Sequence, residues 1–256
     1  LTFEIDPGIS GITDTPVDLS GNDTFFYNLN NSDSVARSVT FTFTPWITDE
    51  DEDECSNGIV ETFVIWVNPT PNINVSATDT LICNEEFAEF KVESWNSNVR
   101  GEWRYLLDVV PDPEISGARA PGNYPIDSML VRDQLINNDT AVHKVTYTFT
   151  PIIEPSDLQP ACGTDRDTVI TIWVNPTPLI DVTVPDTIFC DSAIVDFTVA
   201  DMLGENVTGD KWYSVVAIYD TDEVDVQTRA PGFGGRTFYR TEDTPTITDT
   251  LINKIK

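Results

Sequence analysis

Short runs of alternating polar and apolar residues, separated by turn-forming residues, make up much of the chain. The run Thr-Tyr-Thr-Phe-Thr at 146–150 puts threonine on one side and aromatic side chains on the other, which is the period of a β-strand with one buried face. Further runs rich in β-branched and aromatic residues are bounded by Pro, Gly, Asn and Asp, as strands usually are. No stretch shows a convincing helical period. The pattern predicts an all-β protein.

The chain also repeats itself. The hexapeptide Trp-Val-Asn-Pro-Thr-Pro stands at 66–71 and again at 173–178. The segment Val-Thr-Phe-Thr-Phe-Thr-Pro at 39–45 returns as Val-Thr-Tyr-Thr-Phe-Thr-Pro at 145–151. Such self-similarity at a fixed spacing indicates a tandem array of structural units.

Aligned on these motifs, the chain divides into three parts. We expect residues 1–71 to be the C-terminal part of one unit, 72–178 a complete unit, and 179–256 the N-terminal part of a further unit. A unit of about 100 residues with about seven short strands is typical of an immunoglobulin-like β-sandwich. The sequence therefore predicts tandem Ig-like β-sandwich repeats, and the chain is expected to be a piece of something longer.

The repeated hexapeptide predicts a joint between units. Proline lacks an amide hydrogen, so it ends the last strand, and it restricts the residue before it to extended geometry. Two X-Pro pairs in succession make a short, semi-rigid spacer. A stiff joint favours a rod-like array, with the tryptophan beside it packed against the neighbouring unit. The residues of the predicted joints are Trp66, Pro69, Pro71, Trp173, Pro176 and Pro178.

Charge narrows the choice of partners. The chain has 43 acidic and 14 basic residues, a formal net charge of −29, which would repel nucleic acid and anionic membranes. No stretch approaches the roughly 18–20 apolar residues that cross a bilayer. We therefore expect no nucleic-acid partner and no direct membrane insertion.

The order of motifs resembles a known family. A Val-Thr-Tyr-Thr-Phe-Thr-Pro strand, an acidic loop with a cysteine, the segment ending in Trp-Val-Asn-Pro-Thr-Pro, and then Asp-Thr-Ile-Phe-Cys resemble the PKD-like, Ig-like repeats of Bacteroidota cell-surface proteins. The resemblance implies a large secreted adhesin, of the gliding-motility type and exported by type IX secretion. It implies an extracellular or cell-surface location and nothing catalytic. Neighbouring repeats are the expected partners, with surface glycans or other cell-surface proteins as further ones.

Two cysteines recur in each unit, and an exported protein would oxidise them. Cys55 and Cys162 precede the last strand of a unit, whereas Cys83 and Cys190 follow an Asp-Thr pair. A Cys83–Cys162 bond is the favoured pairing, because it would close each unit on itself, although a simple Greek key puts these loops at opposite ends. Cys55–Cys83 and Cys162–Cys190 bonds would instead staple neighbouring units. A zinc site is not expected, because there is one histidine and no close cysteine pair.

The acidic run at 49–54 has two interpretations. Asp49, Asp51 and Asp53 offer the carboxylate oxygens that Ca²⁺ prefers. The other interpretation is a solvated loop, because the equivalent loop of the next unit keeps only Glu154 and Asp157. Ca²⁺ is the one cofactor considered, and otherwise none is expected.

The tripeptide Asp-(Ser/Thr)-(aliphatic or small) recurs through the chain and resembles the O-glycosylation acceptor pattern of Bacteroidota. Asp and Thr also favour turns and sheets, so the same pattern arises where strands open. Sugars on a rod would protect it from proteolysis. The candidate acceptors are Ser34, Thr80, Ser128, Thr140, Thr168, Thr187, Ser192 and Thr250.

Catalysis is not expected. His143 is the only histidine, so no Ser-His-Asp or Cys-His arrangement recurs in each unit. The tandem repeats, together with the resemblance to PKD-like repeats, predict a structural stalk or filament segment of a surface adhesin, for gliding motility or attachment. The alternatives are a glycan- or protein-binding module, or a spacer array of a secreted multidomain enzyme.

Overall fold

The computed structural model describes most of the chain. It covers residues 1–13, 17–18, 24–48, 54–55, 58–126, 130–155, 160–164, 166–204 and 206–215, and the backbone of three further strands at 224–227, 237–240 and 246–253. All the regular structure in these residues is β-strand, and they contain no helix, so the prediction of an all-β fold is confirmed. In the described part, no helix is long and apolar enough to span a bilayer.

Residues 72–178 contain two sheets that share one core. A three-stranded sheet has the order β14-β10-β8, and a five-stranded sheet has the order β13-β11-β16-β17-β9. All their pairings are antiparallel except that of β9 with β17. The strands are β8 (Ile73–Ala77), β9 (Leu81–Ile82), β10 (Phe87–Ser94), β11 (Glu102–Pro111), β12 (Ile115–Ser116), β13 (Gly122–Pro125), β14 (Val131–Gln134), β15 (Ile136–Asn137), β16 (His143–Glu154) and β17 (Thr168–Val174).

Aromatic side chains join the two sheets. Phe90 of β10 lies 4.6 Å from Tyr147 and 5.6 Å from Phe149 of β16, measured between ring centroids. All three side chains are fully buried, and the alternating Thr-Tyr-Thr-Phe-Thr pattern turns its threonines away from this core. The arrangement is consistent with a β-sandwich.

One carboxylate lies within this core. Asp133 is almost fully buried, on the same side of its strand as Val131 and Leu135. Its carboxylate accepts hydrogen bonds from the Arg119 Nε at 2.8 Å and from the Tyr147 hydroxyl at 3.0 Å. Burial, the main cause, and the Asp133 charge raise the pKa of Tyr147 far above its ordinary value, so the phenol stays protonated as a donor.

The first segment forms a smaller sheet with the order β1-β4-β7. Its core contains Leu1, Phe3, Val39 and Phe41, and one face carries an apolar groove of about 630 Å³ whose lining includes Phe41 and Phe63. The strands are β1 (Thr2–Ile5), β2 (Ile9–Ser10), β3 (Asn30–Asn31), β4 (Arg37–Phe43), β5 (Ile47–Thr48), β6 (Glu54–Cys55) and β7 (Glu61–Val67).

The last segment forms a four-stranded sheet with the order β18-β19-β23-β21, and β20 pairs with β22 beside it. Val199 and Tyr213 are its buried core residues. The strands are β18 (Ile180–Thr183), β19 (Ile194–Asp201), β20 (Trp212–Val215), β21 (Val224–Gln227), β22 (Thr237–Arg240) and β23 (Thr246–Asn253).

A glycine shows how closely the first two segments correspond. Gly11 and Gly117 end the related sequences Asp-Pro-Gly-Ile-Ser-Gly and Asp-Pro-Glu-Ile-Ser-Gly and have φ angles of +91° and +89°. A Cβ atom on either would lie 1.9 Å from a backbone carbonyl oxygen, that of Asn28 or of Gln134. Only glycine fits this conformation and this close approach.

Candidate functional site

The contacts that recur most clearly lie where the repeated hexapeptide leaves the last strand of a segment. We define the first joint as residues 66–72 with 95–100, and the second joint as residues 173–179 with 202–208. Strand β7 ends at Val67 and β17 ends at Val174. In both places the last residue of the strand directly precedes the Asn-Pro pair.

An asparagine side chain crosses each joint. At the first joint, the Asn68 Nδ2 donates to the Arg100 carbonyl oxygen at 2.8 Å, and the Arg100 backbone N–H donates back to the Asn68 Oδ1 at 2.8 Å. At the second, Asn175 and Thr208 make the same reciprocal pair at 2.9 and 3.1 Å. Each side chain thus forms with the following segment the two hydrogen bonds that a strand residue would make.

A second asparagine fixes the end of the last strand from within its own segment. The Asn31 Nδ2 donates to the carbonyl oxygens of Val35 and Val67, both at 2.8 Å. The Asn137 Nδ2 donates to those of Ala141 and Val174 at 2.8 and 2.9 Å. The strand therefore enters each joint with its final carbonyl oxygen already bonded.

Backbone contacts between segments recur as well. The Ser97 N–H donates to the Ser34 carbonyl oxygen at 3.1 Å, and at the second joint the Gly204 N–H donates to the Thr140 carbonyl oxygen at 3.2 Å. At the first joint the Ala36 N–H also donates to the Asn98 carbonyl oxygen at 3.3 Å. The loop before β4 thus contacts the following segment at the first joint, and the equivalent loop before β16 does so at the second.

The predicted joint residues differ in their surroundings. The Arg100 guanidinium lies 3.8 Å from the ring centre of Trp66, a cation–π contact across the first joint. Trp173 is instead covered by Lys144 of its own sheet at 5.5 Å. Pro69, Pro71 and Pro176 are buried, whereas Pro178 is exposed.

Sequence reasoning missed the asparagines before the central strand. Asn31 and Asn137 stand in Asn-Asn-Ser-Asp at 30–33 and Ile-Asn-Asn-Asp at 136–139. The recurrence of Asn-x-Asp at the repeat spacing is the signal that would have found them.

Cysteines Cys83 and Cys162 lie at opposite ends of β16. The Cys162 backbone exchanges two hydrogen bonds with Ile153, at 2.9 and 3.0 Å. Cys83 follows Ile82, which pairs with Val174, and Val174 pairs with His143. Ten residues of strand separate the two ends, about 33 Å, whereas a disulfide needs Cα atoms within about 7 Å. The fold therefore contradicts a Cys83–Cys162 bond.

The two pairings that would staple neighbouring units meet the same obstacle. Cys55 lies far from the first joint. It pairs with Ile47, whereas the residue opposite Val67 at the joint is Arg37, ten residues earlier in the chain. Cys190 stands before β19, whose opposite end reaches the second joint. Cys55–Cys83 and Cys162–Cys190 bonds would therefore span far more than a disulfide's reach. All four cysteines are free thiols in this structure.

The predicted calcium ligands lie outside the described residues. Asp49, Asp51 and Asp53 are in the segment 49–53, so a calcium site there stays a prediction. In the described part of the chain, no group of three or more acidic, histidine or cysteine side chains is arranged to hold a metal ion.

Most candidate glycosylation sites are exposed. Ser34 and Thr140 contact the first and the second joint through their backbone carbonyl oxygens. The Asp33 and Asp139 carboxylates each accept the backbone N–H of the following residue at 2.7 Å, so the aspartate has a local structural role whether or not sugar is attached. Ser34, Thr80, Thr140, Thr187 and Ser192 are exposed, Thr168 is half-buried in β17, Thr250 is described only in its backbone, and Ser128 lies outside the described residues.

An acidic side chain and a basic one pair at the same place in both segments. Asp33 pairs with Arg37, and Asp139 pairs with His143 at 2.9 Å. The hydrogen bond to Asp139, with a further contact to Asp112 at 3.5 Å, raises the pKa of His143. The bond to His143 in turn lowers the pKa of Asp139. At the place where the first segment has the permanently charged Arg37, the second segment thus has the titratable His143.

A polar groove of about 370 Å³ lies at the first joint. Its lining includes Trp95, Asn72, Ser34, Asp33 and Arg166, and Trp95 is 68% exposed. An indole face beside an amide, a hydroxyl and a guanidinium is suited to stacking and hydrogen bonding with a sugar. At the second joint Met202 and Leu179 occupy the places of Trp95 and Asn72. The groove chemistry therefore belongs to the first joint and not to the repeat.

Comparisons with known proteins add no homologue. No protein-family model matches the chain, and no curated protein sequence matches it. The functional interpretation therefore depends on the contacts described above.

Proposed function

We propose that residues 1–256 are a stretch of tandem immunoglobulin-like β-sandwich units that serves as a structural stalk of a large secreted bacterial surface adhesin. The observation that carries this proposal is the reciprocal asparagine–backbone pair, which is formed by Asn68 at the first joint and by Asn175 at the second. A contact that recurs at the spacing of the sequence repeat is what a stack of like units requires.

The chemistry of the joint supports a stiff connection. The prolines restrict the backbone torsions of the connecting segment, and Pro69 and Pro71 are buried against their surroundings. Five hydrogen bonds between nitrogen and oxygen atoms then join the segments at the first joint: two through Asn68, two through the backbone carbonyl oxygens of Ser34 and Asn98, and one from the Asn96 side chain to the Thr70 carbonyl oxygen at 3.2 Å. A connection with fixed torsions and paired polar groups favours one orientation between neighbouring units.

The cellular location and biological role in this proposal come from the resemblance to PKD-like repeats. The resemblance implies a protein on the surface of a bacterium, exported by type IX secretion, with a mechanical role in gliding motility or attachment. The net charge of −29 suits an extended surface protein, because like charges oppose self-association.

Small-angle X-ray scattering of the chain tests this proposal. A compact chain of 256 residues has a radius of gyration of about 18 Å, whereas successive sandwiches of about 40 Å each, stacked end to end, give about 30 Å. We expect the larger value, and a broader distance distribution in an Asn68→Ala, Asn175→Ala double variant. Asn74→Ala, at an exposed strand position, is the control. A radius near 18 Å would contradict the stalk.

The groove at the first joint supports a second candidate, glycan binding by the stalk itself. A defined neutral oligosaccharide, such as a cello-oligosaccharide, is a suitable probe, because Trp95 can stack on the sugar ring while Arg166 and Asp33 hydrogen-bond its hydroxyl groups. We expect binding by isothermal titration calorimetry that Trp95→Ala abolishes and Trp46→Ala retains. Equal binding by both variants, or none by the unaltered chain, would reject this candidate.

A further inference from the structure

Two kinds of cysteine approach the joint asparagine, one from each side. At the first joint, the Cys162 Sγ lies 3.9 Å from the Asn68 Nδ2, and Cys162 belongs to the segment that follows the joint. At the second joint, the Asn175 N–H donates to the Ile82 carbonyl oxygen at 2.9 Å, and Cys83, the next residue, belongs to the segment that precedes the joint.

Asn68 and Asn175 are equivalent positions. Each is the third residue of Trp-Val-Asn-Pro-Thr-Pro, and each makes the reciprocal hydrogen-bond pair with the following segment. When the two joints are superposed, the equivalent of Cys83 from the preceding unit and the equivalent of Cys162 from the following unit therefore lie on either side of the same asparagine.

We propose that these cysteines form a disulfide across each joint, between the Cys83-type residue of one unit and the Cys162-type residue of the next. Cys83 would then bond to the following unit's counterpart of Cys162, and Cys162 to the preceding unit's counterpart of Cys83. Neither counterpart is among the four cysteines of residues 1–256. The inference rests on the proposed tandem array.

The same geometry accounts for the pairings that fail. Within a unit the two cysteines lie at opposite ends of β16, about 33 Å apart. Across a joint, the residue before Cys83 and the Cys162 sulfur both contact the joint asparagine. The repeat therefore makes the cross-joint pair short and the within-unit pair long.

The bond forms by thiol–disulfide exchange with a disulfide donor of an oxidising compartment. One cysteine thiolate attacks the donor disulfide, and the second thiolate displaces the donor from the mixed disulfide. The two cysteines lose two protons and two electrons in total, and the donor leaves as a dithiol. The product is a covalent clamp beside the hydrogen-bonded joint.

An extended chain supplies the missing partner. Leu1 corresponds to Leu107, because Phe3 pairs with Phe41 as Val109 pairs with Tyr147. Fusing a second copy of residues 72–106 before Leu1 should therefore complete the first unit and cover its apolar groove. It also places a second copy of Cys83 at the first joint, facing Cys162.

Peptide mapping of this extended chain without reduction, after oxidation in a glutathione buffer, is the test. We expect one disulfide per chain, between the added cysteine and Cys162. The Cys162→Ser substitution in the extended chain should abolish this disulfide, and the Cys55→Ser substitution, as the control, should retain it. A bond from the added cysteine to Cys55, the within-unit pairing, would overturn the proposal. So would an unbridged chain whose folding is shown by a higher melting temperature than that of residues 1–256.

The native protein from its own cells gives an independent answer if the extended chain does not fold. Mapping without reduction should link Cys83 and Cys162 to peptides outside residues 1–256, and a Cys83–Cys162 link or two free thiols would overturn the proposal. Scattering keeps this result separate from the stalk itself. An elongated chain with other cysteine pairings refutes only the clamp, whereas a compact chain refutes the tandem array.

Discussion

Replacing Asn137 by alanine should destabilise the strand that leads into the second joint. The Asn137 side chain donates to the Ala141 and Val174 carbonyl oxygens and accepts the Asp139 N–H at 3.0 Å. The residue is 4% exposed, so water does not readily replace these three bonds. At a net value of about 1 kcal/mol for each hydrogen bond lost from a buried site, Asn137→Ala should cost about 3 kcal/mol.

Urea unfolding, followed together with hydrogen exchange of peptides from β16 and β17, measures this cost. Exchange places the effect locally, because a chain with several cores need not unfold in one step. Asn138→Ala is the matched control, since Asn138 is an exposed neighbour that bonds the Glu114 carbonyl oxygen at 3.0 Å. A cost below about 0.5 kcal/mol for Asn137→Ala, similar to that of a surface substitution, would refute the reasoning.

Three further predictions concern stability. Asp133→Ala leaves the Tyr147 hydroxyl and a guanidinium without their buried partner and should cost about 3 kcal/mol, whereas Tyr147→Phe should cost about 1 kcal/mol; equal costs in calorimetry would contradict this ranking. The hydrogen bond to Asp139 raises the pKa of His143, so the protonated imidazole stabilises the folded state. This stabilisation is complete below about pH 6.5, the pKa of an unfolded-state histidine, and is lost as the pH rises through the folded-state pKa. His143→Arg, which keeps the cation, should flatten the dependence of melting temperature on pH from 6 to 8, and an unchanged slope would be evidence against the ion pair. Gly117→Ala, at a φ of +89°, should cost at least about 2 kcal/mol, while an equally stable variant would show that the turn relaxes.

The strands were predictable from the sequence because their signals are local. The alternation at 146–150 lies in β16, and the β-branched runs that lead into the two hexapeptides lie in β7 and β17. The prolines after Asn68 and Asn175 coincide with the ends of β7 and β17. These features depend on backbone torsions and on which face of a strand is apolar, and both can be read from neighbouring residues.

The contacts of the joints were not predictable, because they depend on topology. Asn31 bonds Val67, 36 positions away, and only the fold brings such residues together. The opposite-end positions of Cys83 and Cys162 were expected of a Greek key, and the parallel pairing of β9 with β17 produces them. The approach of each cysteine to a joint asparagine could not be foreseen, because it depends on how neighbouring segments meet. The buried Asp133 interrupts an apolar pattern, and its ion pair with Arg119 compensates for a residue type that local propensity places at the surface.

Amide hydrogen exchange at Arg100 and Thr208, measured by NMR on the intact chain, tests the recurring joint most directly. Both residues are exposed, so their backbone N–H groups should exchange slowly only if the Asn68 and Asn175 side chains bind them. The joint predicts slow exchange at both positions, lost at Arg100 in Asn68→Ala and at Thr208 in Asn175→Ala. Fast exchange at both positions in the unaltered chain would contradict it.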